Sequence, residues 1–393
     1  MGWSVAQRFG LTFHRPQLST KGYTLVTPLM GDSSYLVDME GRFVHRWQFG
    51  DLRPLTSQLL PNGNLLVIGV ERSLLPPPPD DFTSEPPPFE RHVRRLGANG
   101  SMLREVTWDG ETVWEHRDLG MHHDFCRLPN GNTVFPVWVE MPDEVASQVR
   151  GGVRRPREKL PRLLGDDIVE VDPAGNEVWR VETWKLFDPR KDPMCDLERR
   201  WEWTHINSVD VNADGDVLFS CRTNSRVAIV NRAGEMTWKY GFPDTAHQHH
   251  ATWVGDGHVQ IFDNGMHRQI QFSVSKVIEV DPQSNEVVWE YGGSPPAQFF
   301  SGHISGATRL ANSNVLICEG TSGRLLEVTQ RGEPVWEWWN PVYSARPDGA
   351  LTGWLFRAYR YGPDHPGLAG RDLSGGGLTD LNRLYGLDGG MSS

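Results

Sequence analysis

Histidines recur at one position of a repeated pattern in this sequence, and imidazole supports several kinds of chemistry near neutral pH. Four of the 14 histidines lie eight or ten residues before the central residue of an Asn-Gly-type turn: His123, His205, His249 and His303. Successive side chains of a strand alternate between its two faces, so these even offsets place all four on one face. The neighbours His122 and His250 have odd offsets and are expected to point the other way. Since a neutral imidazole is a nucleophile, an acid–base catalyst and a metal ligand, the pattern predicts a histidine-lined site.

Further polar residues follow the same strands and are candidates for binding a substrate. They are Asn207 and Arg222 near the second of these histidines, Asn264 and Arg268 near the third, and Thr321 near the fourth. Arginine binds tetrahedral oxyanions with forked hydrogen bonds, which makes Arg222 a candidate clamp for an anionic group. A structural tie between strands explains Arg222 equally well.

The elements that position these residues are repeated strand pairs. A hairpin around an Asn-Gly-type turn, such as RLPNGNTVFPV at 127–137, alternates with a hairpin such as VEVDPAGNEVWRV at 169–181. The second hairpin has the form x-V-D-x-x-G-x-V-x-W and recurs about six times. Repeats of this kind predict an all-β fold, a six-bladed β-propeller with the histidine-lined site on its axis.

The repeats also set the expected domain boundaries. We expect an N-terminal extension at 1–21, the propeller at 22–341, and a C-terminal segment at 342–393 that packs on the ring and then frays. A Pro-rich insertion at 74–90 and a basic insertion at 140–165 interrupt the second and third blades, because neither pattern suits a sheet.

Tryptophan recurs late in the second hairpin of each blade. The six residues in this phase are Trp47, Trp114, Trp179, Trp238, Trp289 and Trp336. An aromatic side chain repeated at one position of every blade is expected to pack between blades rather than to bind a ligand.

Composition excludes several classes of partner. The formal net charge of −11 argues against nucleic acid as a partner. The expected partner of the axial site is a small-molecule substrate, aromatic or anionic. The four cysteines show no C-x-x-C spacing, so no metal cluster is expected from them. No apolar stretch is long enough to span a membrane, and no signal-peptide pattern opens the chain. We therefore expect a cytoplasmic protein, or a periplasmic one if a leader precedes this sequence.

Several segments resemble one known family. They are MHHDFCRLPNGN at 121–132, WTHINSVDVNADGDVLFSCRTNS at 203–225, HQHHATWVGDGHVQIFDNG at 247–265 and GRLLEVTQRGEPVWEW at 323–338. These segments are similar to bacterial aryl-sulfate sulfotransferases (arylsulfotransferases), and the opening of the chain resembles the soluble members. The resemblance covers roughly residues 10–360.

The resemblance implies a fold, a reaction and a set of residues. Members are six-bladed propellers that move a sulfuryl group from an aryl sulfate to a phenolic acceptor, without a cofactor, through a sulfated histidine. Carried over motif by motif, Q-H makes His249 the nucleophile, and H-D and H-x-N-S supply His123 and His205. The S-x-R segment supplies Arg222, and the last three residues would neutralise sulfuryl oxygens or handle the phenol proton.

Two departures from the family pattern keep other functions open. His250 stands where the family commonly has aspartate, and His303 is an additional histidine. One alternative is a metal-dependent oxygenase, lyase or hydrolase that binds Fe or Mn through His123, His205, His249 (or His247) and His303. The other is a non-catalytic propeller that binds a partner or a small anion.

Overall fold

The computed structural model describes residues 8–75, 88–153, 162–255, 257–268, 272–346 and 348–387. Within these residues the strands form six small antiparallel sheets and one two-stranded ribbon. The fold is a six-bladed β-propeller, as the repeats predict. Contacts divide the chain into two compact units. The first comprises residues 1–67, 105–113 and 304–393, and the second comprises residues 68–104 and 114–303.

The first unit contains two complete sheets and the ribbon. One sheet has the order β27-β2-β3-β4, from β2 (Tyr23–Pro28), β3 (Ser33–Val37), β4 (Phe43–Gln48) and β27 (Leu355–Tyr361). The other has the order β1-β24-β23-β22-β21, from β1 (Gly10–His14), β21 (Gly306–Arg309), β22 (Val315–Glu319), β23 (Arg324–Val328) and β24 (Pro334–Trp339). The ribbon pairs β25 (Ser344–Ala345) with β26 (Leu351–Thr352).

The terminal segments take part in these sheets, which differs from the boundaries expected from the repeats. β1 pairs with β24, and β27 pairs with β2, so strands lie outside the expected 22–341. Pairing satisfies the backbone N–H and C=O groups that an edge strand would otherwise present. Helix α3 (Thr379–Leu384) is docked rather than frayed, since the buried Asn382 side chain bonds both N and O of Phe43 at 2.9 Å.

A further sheet has the order β5-β6-β7-β8, from β5 (Leu52–Leu59), β6 (Leu65–Glu71), β7 (Met102–Val106) and β8 (Thr112–Arg117). Helix α1 (Phe89–Val93) begins at the end of the expected Pro-rich insertion, and helix α2 (Asp143–Ala146) lies within the expected basic insertion. Residues 76–87 and 154–161 of those insertions lie outside the described residues. Single 3₁₀ turns occur at Arg72–Leu74, Thr183–Lys185, Pro296–Gln298, Pro366–Leu368 and Gly376–Leu378. No helix among the described residues is long and apolar enough to cross a bilayer.

The second unit contains three complete sheets whose strands follow chain order. The first has β9 (Cys126–Arg127), β10 (Thr133–Glu140), β11 (Leu164–Val171) and β12 (Glu177–Glu182). The second has β13 (Ile206–Val211), β14 (Val217–Cys221), β15 (Arg226–Val230) and β16 (Met236–Gly241). The third has β17 (His249–Val254), β18 (His258–Asp263), β19 (Lys276–Val280) and β20 (Val287–Tyr291). The first strands of neighbouring sheets pack together, β13 against both β9 and β17.

Alternating apolar side chains bury both faces of the inner strands. On β14, Val217 and Phe219 pack into one hydrophobic cluster, whereas Leu218 between them packs into another. All three are fully buried. Because strand side chains alternate in direction, one short apolar strand fills the space toward the sheet before it and the sheet after it.

Five of the six recurring tryptophans make a hydrogen bond from one sheet to the next, which confirms the expected packing role for these five. Each indole donates a hydrogen bond to the turn of the next sheet: Trp47 to Thr107 O (3.3 Å), Trp114 to Pro173 O (3.0 Å), Trp179 to Arg232 O (3.0 Å), Trp238 to Asn285 Oδ1 (2.8 Å) and Trp336 to Met39 O (3.0 Å). The bonds tie each sheet to its neighbour within its unit.

Candidate functional site

Three of the predicted histidines lie at the starts of successive first strands of the second unit. His123 precedes β9 by three residues, His205 immediately precedes β13, and His249 begins β17. Twelve described non-glycine residues have positive φ, and five of them are histidines with φ between 53° and 59°: His123, His205, His247, His250 and His267. This backbone region is uncommon for residues with a Cβ, and such residues concentrate at functional sites.

The left-handed backbone at His123 brings together two histidines that simple alternation separates. Nδ1 of His122 lies 2.7 Å from Nδ1 of His123, although the odd offset predicts opposite directions. Nε2 of His122 lies 3.0 Å from Oδ1 of Asp166, and the ring stacks on Trp138 with centroids 4.0 Å apart. Burial raises the pKa of Asp166, but contacts with His122 and Thr204 outweigh it and hold that pKa below the usual value. The ionised carboxylate favours a proton on Nε2 of His122, so its Nδ1 accepts the hydrogen bond from His123.

His205 lies beside this pair and has its own carboxylate. The rings of His123 and His205 have centroids 4.4 Å apart. Nδ1 of His205 lies 2.6 Å from Oε1 of Glu202, and Oε2 of the same carboxylate accepts the indole N–H of Trp138 at 2.9 Å. Glu202 therefore orients the ring of His205.

His249 is held in a single tautomer by two hydrogen-bond acceptors. Its Nδ1 lies 2.7 Å from Oδ1 of Asn264 and 3.1 Å from the carbonyl oxygen of His247. Nδ2 of Asn264 donates to the carbonyl of Ser301 at 2.7 Å, which fixes the orientation of the amide. Since both partners accept, Nδ1 carries the proton and Nε2 carries the lone pair.

The environment of His249 keeps the ring neutral. Burial lowers its pKa well below 6.5, and the positive charge of Arg222 lowers it further. The hydrogen bond to Asn264 opposes these effects, while the charges of His205 and His303 add to them. A neutral imidazole with a fixed tautomer is a competent nucleophile at pH 7.

Arg222 is paired with a partly buried carboxylate close to the histidines. Its Nη2 lies 2.8 Å from Oε1 of Glu198, and its backbone N–H donates to the carbonyl of His205 at 3.1 Å. Burial raises the pKa of Glu198, but Arg222, together with His247 and His205, outweighs burial and lowers it to about 2. Glu198 thus holds the guanidinium in place as a permanent anion. The structural tie considered for Arg222 exists, and it leaves the cation within electrostatic reach of His249.

Among the described residues, one group of side chains has an arrangement that could hold a metal ion. Its members are Cys195, His247 and His267, whose candidate ligand atoms all lie within 4.8 Å of one another. The group differs from the four histidines considered from the sequence, and His247 is the residue that the two sets share.

The remaining predicted residues have mixed positions. Asn207 is buried and donates from Nδ2 to the carbonyl of Gln248 at 2.8 Å, next to the nucleophile candidate. Arg268 is engaged by the carboxylate of Asp263, so it ties the end of β18. His303 acts on His249 through its charge. Thr321 follows β22 in the first unit.

The sequence did not predict the carboxylates of the site, nor His267. Glu198 and Glu202 lie in the irregular segment between β12 and β13, and Asp166 lies within β11. Two adjacent aspartates inside an otherwise apolar strand, Asp166 and Asp167, were a usable signal, because buried carboxylates need partners. His267 follows β18 in a loop, where no periodicity marks it.

One solved structure resembles the chain with a TM-score above 0.5, and two others match it with lower scores. A protein of unknown function from Bacteroides caccae is 12% identical with a TM-score of 0.52, over 87% of this chain and 99% of that chain. Virginiamycin B lyase from Staphylococcus aureus is 13% identical with a TM-score of 0.44, over 84% and 83%. The periplasmic gluconolactonase of Pseudomonas aeruginosa is 13% identical with a TM-score of 0.41, over 87% and 96%. The likeness to the Bacteroides caccae protein, at 12% identity, is one of fold alone.

Family membership follows from the sequence. No protein with a curated description matches the chain significantly. The sequence profile of the arylsulfotransferase (ASST) family matches residues 26–336, which is most of the chain and includes every residue of the histidine site described above. The chain belongs to the arylsulfotransferase family.

Proposed function

We propose that this protein transfers a sulfuryl group from an aryl sulfate to a phenolic acceptor, with Nε2 of His249 as the covalent carrier. Family membership supports a transferase of sulfuryl groups in general. The observation that carries the finer proposal is the pair of acceptors on Nδ1 of His249, Asn264 Oδ1 and His247 O. These acceptors direct the lone pair of a buried, neutral ring to Nε2.

In the first half-reaction, Nε2 of His249 attacks the sulfur and the bond from sulfur to the aryl oxygen breaks. The phenolate takes a proton from protonated His123 and leaves as the phenol. The sulfated ring gains positive charge, which the carbonyl of His247 and the amide oxygen of Asn264 stabilise through the Nδ1 proton. Splitting one difficult displacement into two easier ones is the advantage of covalent catalysis.

In the second half-reaction, the acceptor phenol gives its proton to His123 as its oxygen attacks the sulfur. The bond from sulfur to Nε2 breaks, the new aryl sulfate leaves, and His249 returns to its neutral form. His123 is suited to hold this proton because Nδ1 of His122 and the carboxylate of Asp166 form a chain behind it. The negative carboxylate stabilises the imidazolium, as in other histidine relays.

Cationic groups would neutralise the sulfuryl oxygens. Arg222 presents Nη2 to Glu198, which leaves Nε and Nη1 for the substrate. His205, which Glu202 orients, supplies a second donor. In a buried site such fixed charges stabilise developing oxyanions more strongly than water does.

The experiment uses the full chain, p-nitrophenyl sulfate as donor and a second phenol as acceptor. With donor alone, we expect a burst of about one p-nitrophenol per chain and an intact-protein mass increase of one sulfuryl group. His249→Ala should abolish the burst and the mass increase. His258→Gln removes an imidazole of β18 that is paired with Glu279, and this variant should retain the burst and the mass increase. Turnover that persists in folded His249→Ala would overturn the proposal.

A further inference from the structure

A second cluster of polar side chains lies beside the histidine site, in the irregular segments of the second unit. Cys195 and Glu198 belong to one turn, in which the N–H of Glu198 donates to the carbonyl of Cys195 at 3.1 Å. His247 lies two residues before β17, and His267 lies in the loop after β18. Three separate chain segments therefore converge on this point.

The donor atoms have the separations of a metal site. Sγ of Cys195 lies 3.4 Å from Nδ1 of His267. With zinc bond lengths to sulfur and nitrogen, tetrahedral geometry requires about 3.6 Å between such a pair. The rings of His247 and His267 are nearly perpendicular, with centroids 4.7 Å apart. One ligand atom from each of Cys195, His247 and His267 falls within 4.8 Å of the other two.

His247 provides an independent observation that points to a ligand. Its side chain is only 2% exposed, and neither ring nitrogen makes a hydrogen bond within the described structure. Buried imidazole nitrogens are normally satisfied, so two unsatisfied ones need an explanation. The nearest anionic oxygen, Oε1 of Glu198, is 3.6 Å from Nδ1, which is too far for a hydrogen bond. A cation between these groups would use the lone pair of His247.

We propose that Cys195, His247 and His267 bind one Zn²⁺ ion, with the carboxylate of Glu198 beside it. A thiolate with two imidazoles is a donor set that Zn²⁺ accepts. The thiolate and the Glu198 carboxylate together offset the two charges of the ion, and Arg222, which stays paired with Glu198, leaves the cluster with one net positive charge. The fourth coordination position is left to Glu198 or to water.

A metal ion bound here would help to hold His249, the proposed sulfuryl carrier, in its position. A metal bound to the ring of His247 fixes the backbone whose carbonyl accepts the Nδ1 proton of His249. Metal binding itself does not depend on sulfuryl transfer, so the two proposals fail separately: a zinc protein without transferase activity would refute only the first.

The test is a titration of the chelator-treated full chain with Zn²⁺ and with Co²⁺ as a spectroscopic probe. We expect one ion per chain and, with Co²⁺, a thiolate-to-metal charge-transfer band. Cys195→Ser should remove that band, and His267→Gln should weaken Zn²⁺ binding by at least about tenfold. Cys126→Ser, which removes another partly exposed thiol on β9, is the matched control and should change neither.

The wild-type spectrum decides the question even if a variant fails to fold. Binding of Co²⁺ without a thiolate band, or no stoichiometric binding of either ion, would overturn the proposal. Zn²⁺ affinity that stays unchanged in both folded variants, Cys195→Ser and His267→Gln, would also overturn it.

Discussion

The carbonyl oxygen of His247 accepts the Nδ1 proton of His249 across 3.1 Å, so one histidine sets the tautomer of another through its backbone. The contact is possible because His247 has a φ of 55°, which turns its carbonyl toward the ring two residues ahead. A residue at this φ is strained unless the surroundings hold it, and here they do: the N–H of His247 donates to Oγ of Ser225 at 3.1 Å.

Asn264 is predicted to act as a positioning residue for His249. Asn264→Leu removes the Oδ1 acceptor and lets the proton move to Nε2, so kcat should fall by at least about 100-fold, as when other histidines lose their tautomer-fixing partner. KM should change little, because Asn264 does not contact the substrate in the proposed mechanism. Steady-state kinetics separate the two parameters. A rise in KM with normal kcat would contradict this role.

The pH dependence of the burst phase should lack an acid limb from His249 near pH 6.5. Burial and the charge of Arg222 hold the pKa of His249 well below that value, so the ring stays unprotonated from pH 7 to pH 6. The burst rate with donor alone, measured by stopped flow, should therefore not fall as the pH is lowered over this range. A burst rate that halves near pH 6.5 in proportion to ring protonation would count against a buried neutral nucleophile.

The free energy of unfolding should decrease as the pH is lowered, because His92 on α1 is buried. Burial lowers its pKa to about 4, whereas the unfolded value is 6.5. The unfolded chain binds more protons between these values, so stability present above pH 6.5 is lost as pH falls toward 4. The loss is at most about 1.4 kcal/mol per pH unit for one group.

Urea unfolding at several pH values between 6.5 and 4.5 measures this slope. His92→Gln should flatten it by the contribution of one group. An unchanged slope in His92→Gln would show that other groups carry the dependence.

The pair of Arg222 and Glu198 should show energetic coupling. Both side chains are largely buried, at 16% and 22% exposure, and their contact is 2.8 Å. A double-mutant cycle with Arg222→Ala and Glu198→Gln, in the presence of chelator, should give a coupling of about 0.5–3 kcal/mol in unfolding free energy. Additive effects of the two substitutions would mean that the contact contributes nothing to stability.

The contribution of each recurring tryptophan to the free energy of unfolding should depend on how deeply its side chain is buried. Trp336 is fully buried and Trp114 is partly exposed, yet each donates one 3.0 Å hydrogen bond to a backbone carbonyl of the next sheet. Trp336→Phe should destabilise by about 2–4 kcal/mol, since it leaves a cavity as well as an unpaired carbonyl. Trp114→Phe should cost clearly less in the same thermal or urea unfolding experiment. Equal losses would mean that the hydrogen bond, not packing, dominates.

The sequence predicted the fold and part of the site because both depend on periodic features. Turn residues and alternating apolar positions recur in every sheet, and the even offsets of His123, His205 and His249 follow from the same periodicity. These three residues do start neighbouring first strands in the second unit. The alternation rule was wrong for His122, because the positive φ of His123 interrupts the strand geometry on which the rule rests.

The rest of the site depends on irregular backbone that has no period. Glu198 and Glu202 reach the histidines from the long segment between β12 and β13, and nothing in local spacing distinguishes them from solvated surface charges. The strand β27 was also missed, since it supplies the fourth strand of the earliest sheet from the far end of the sequence. Partners that are distant in sequence leave no local pattern.

The pairing of β27 with β2 constrains how the protein is made. During synthesis the strands of the earliest sheet emerge long before residue 361, so β2 remains an unpaired edge until β27 has been synthesised. Premature termination before Leu355 would leave that edge permanently available to other chains, and truncated products are expected to aggregate.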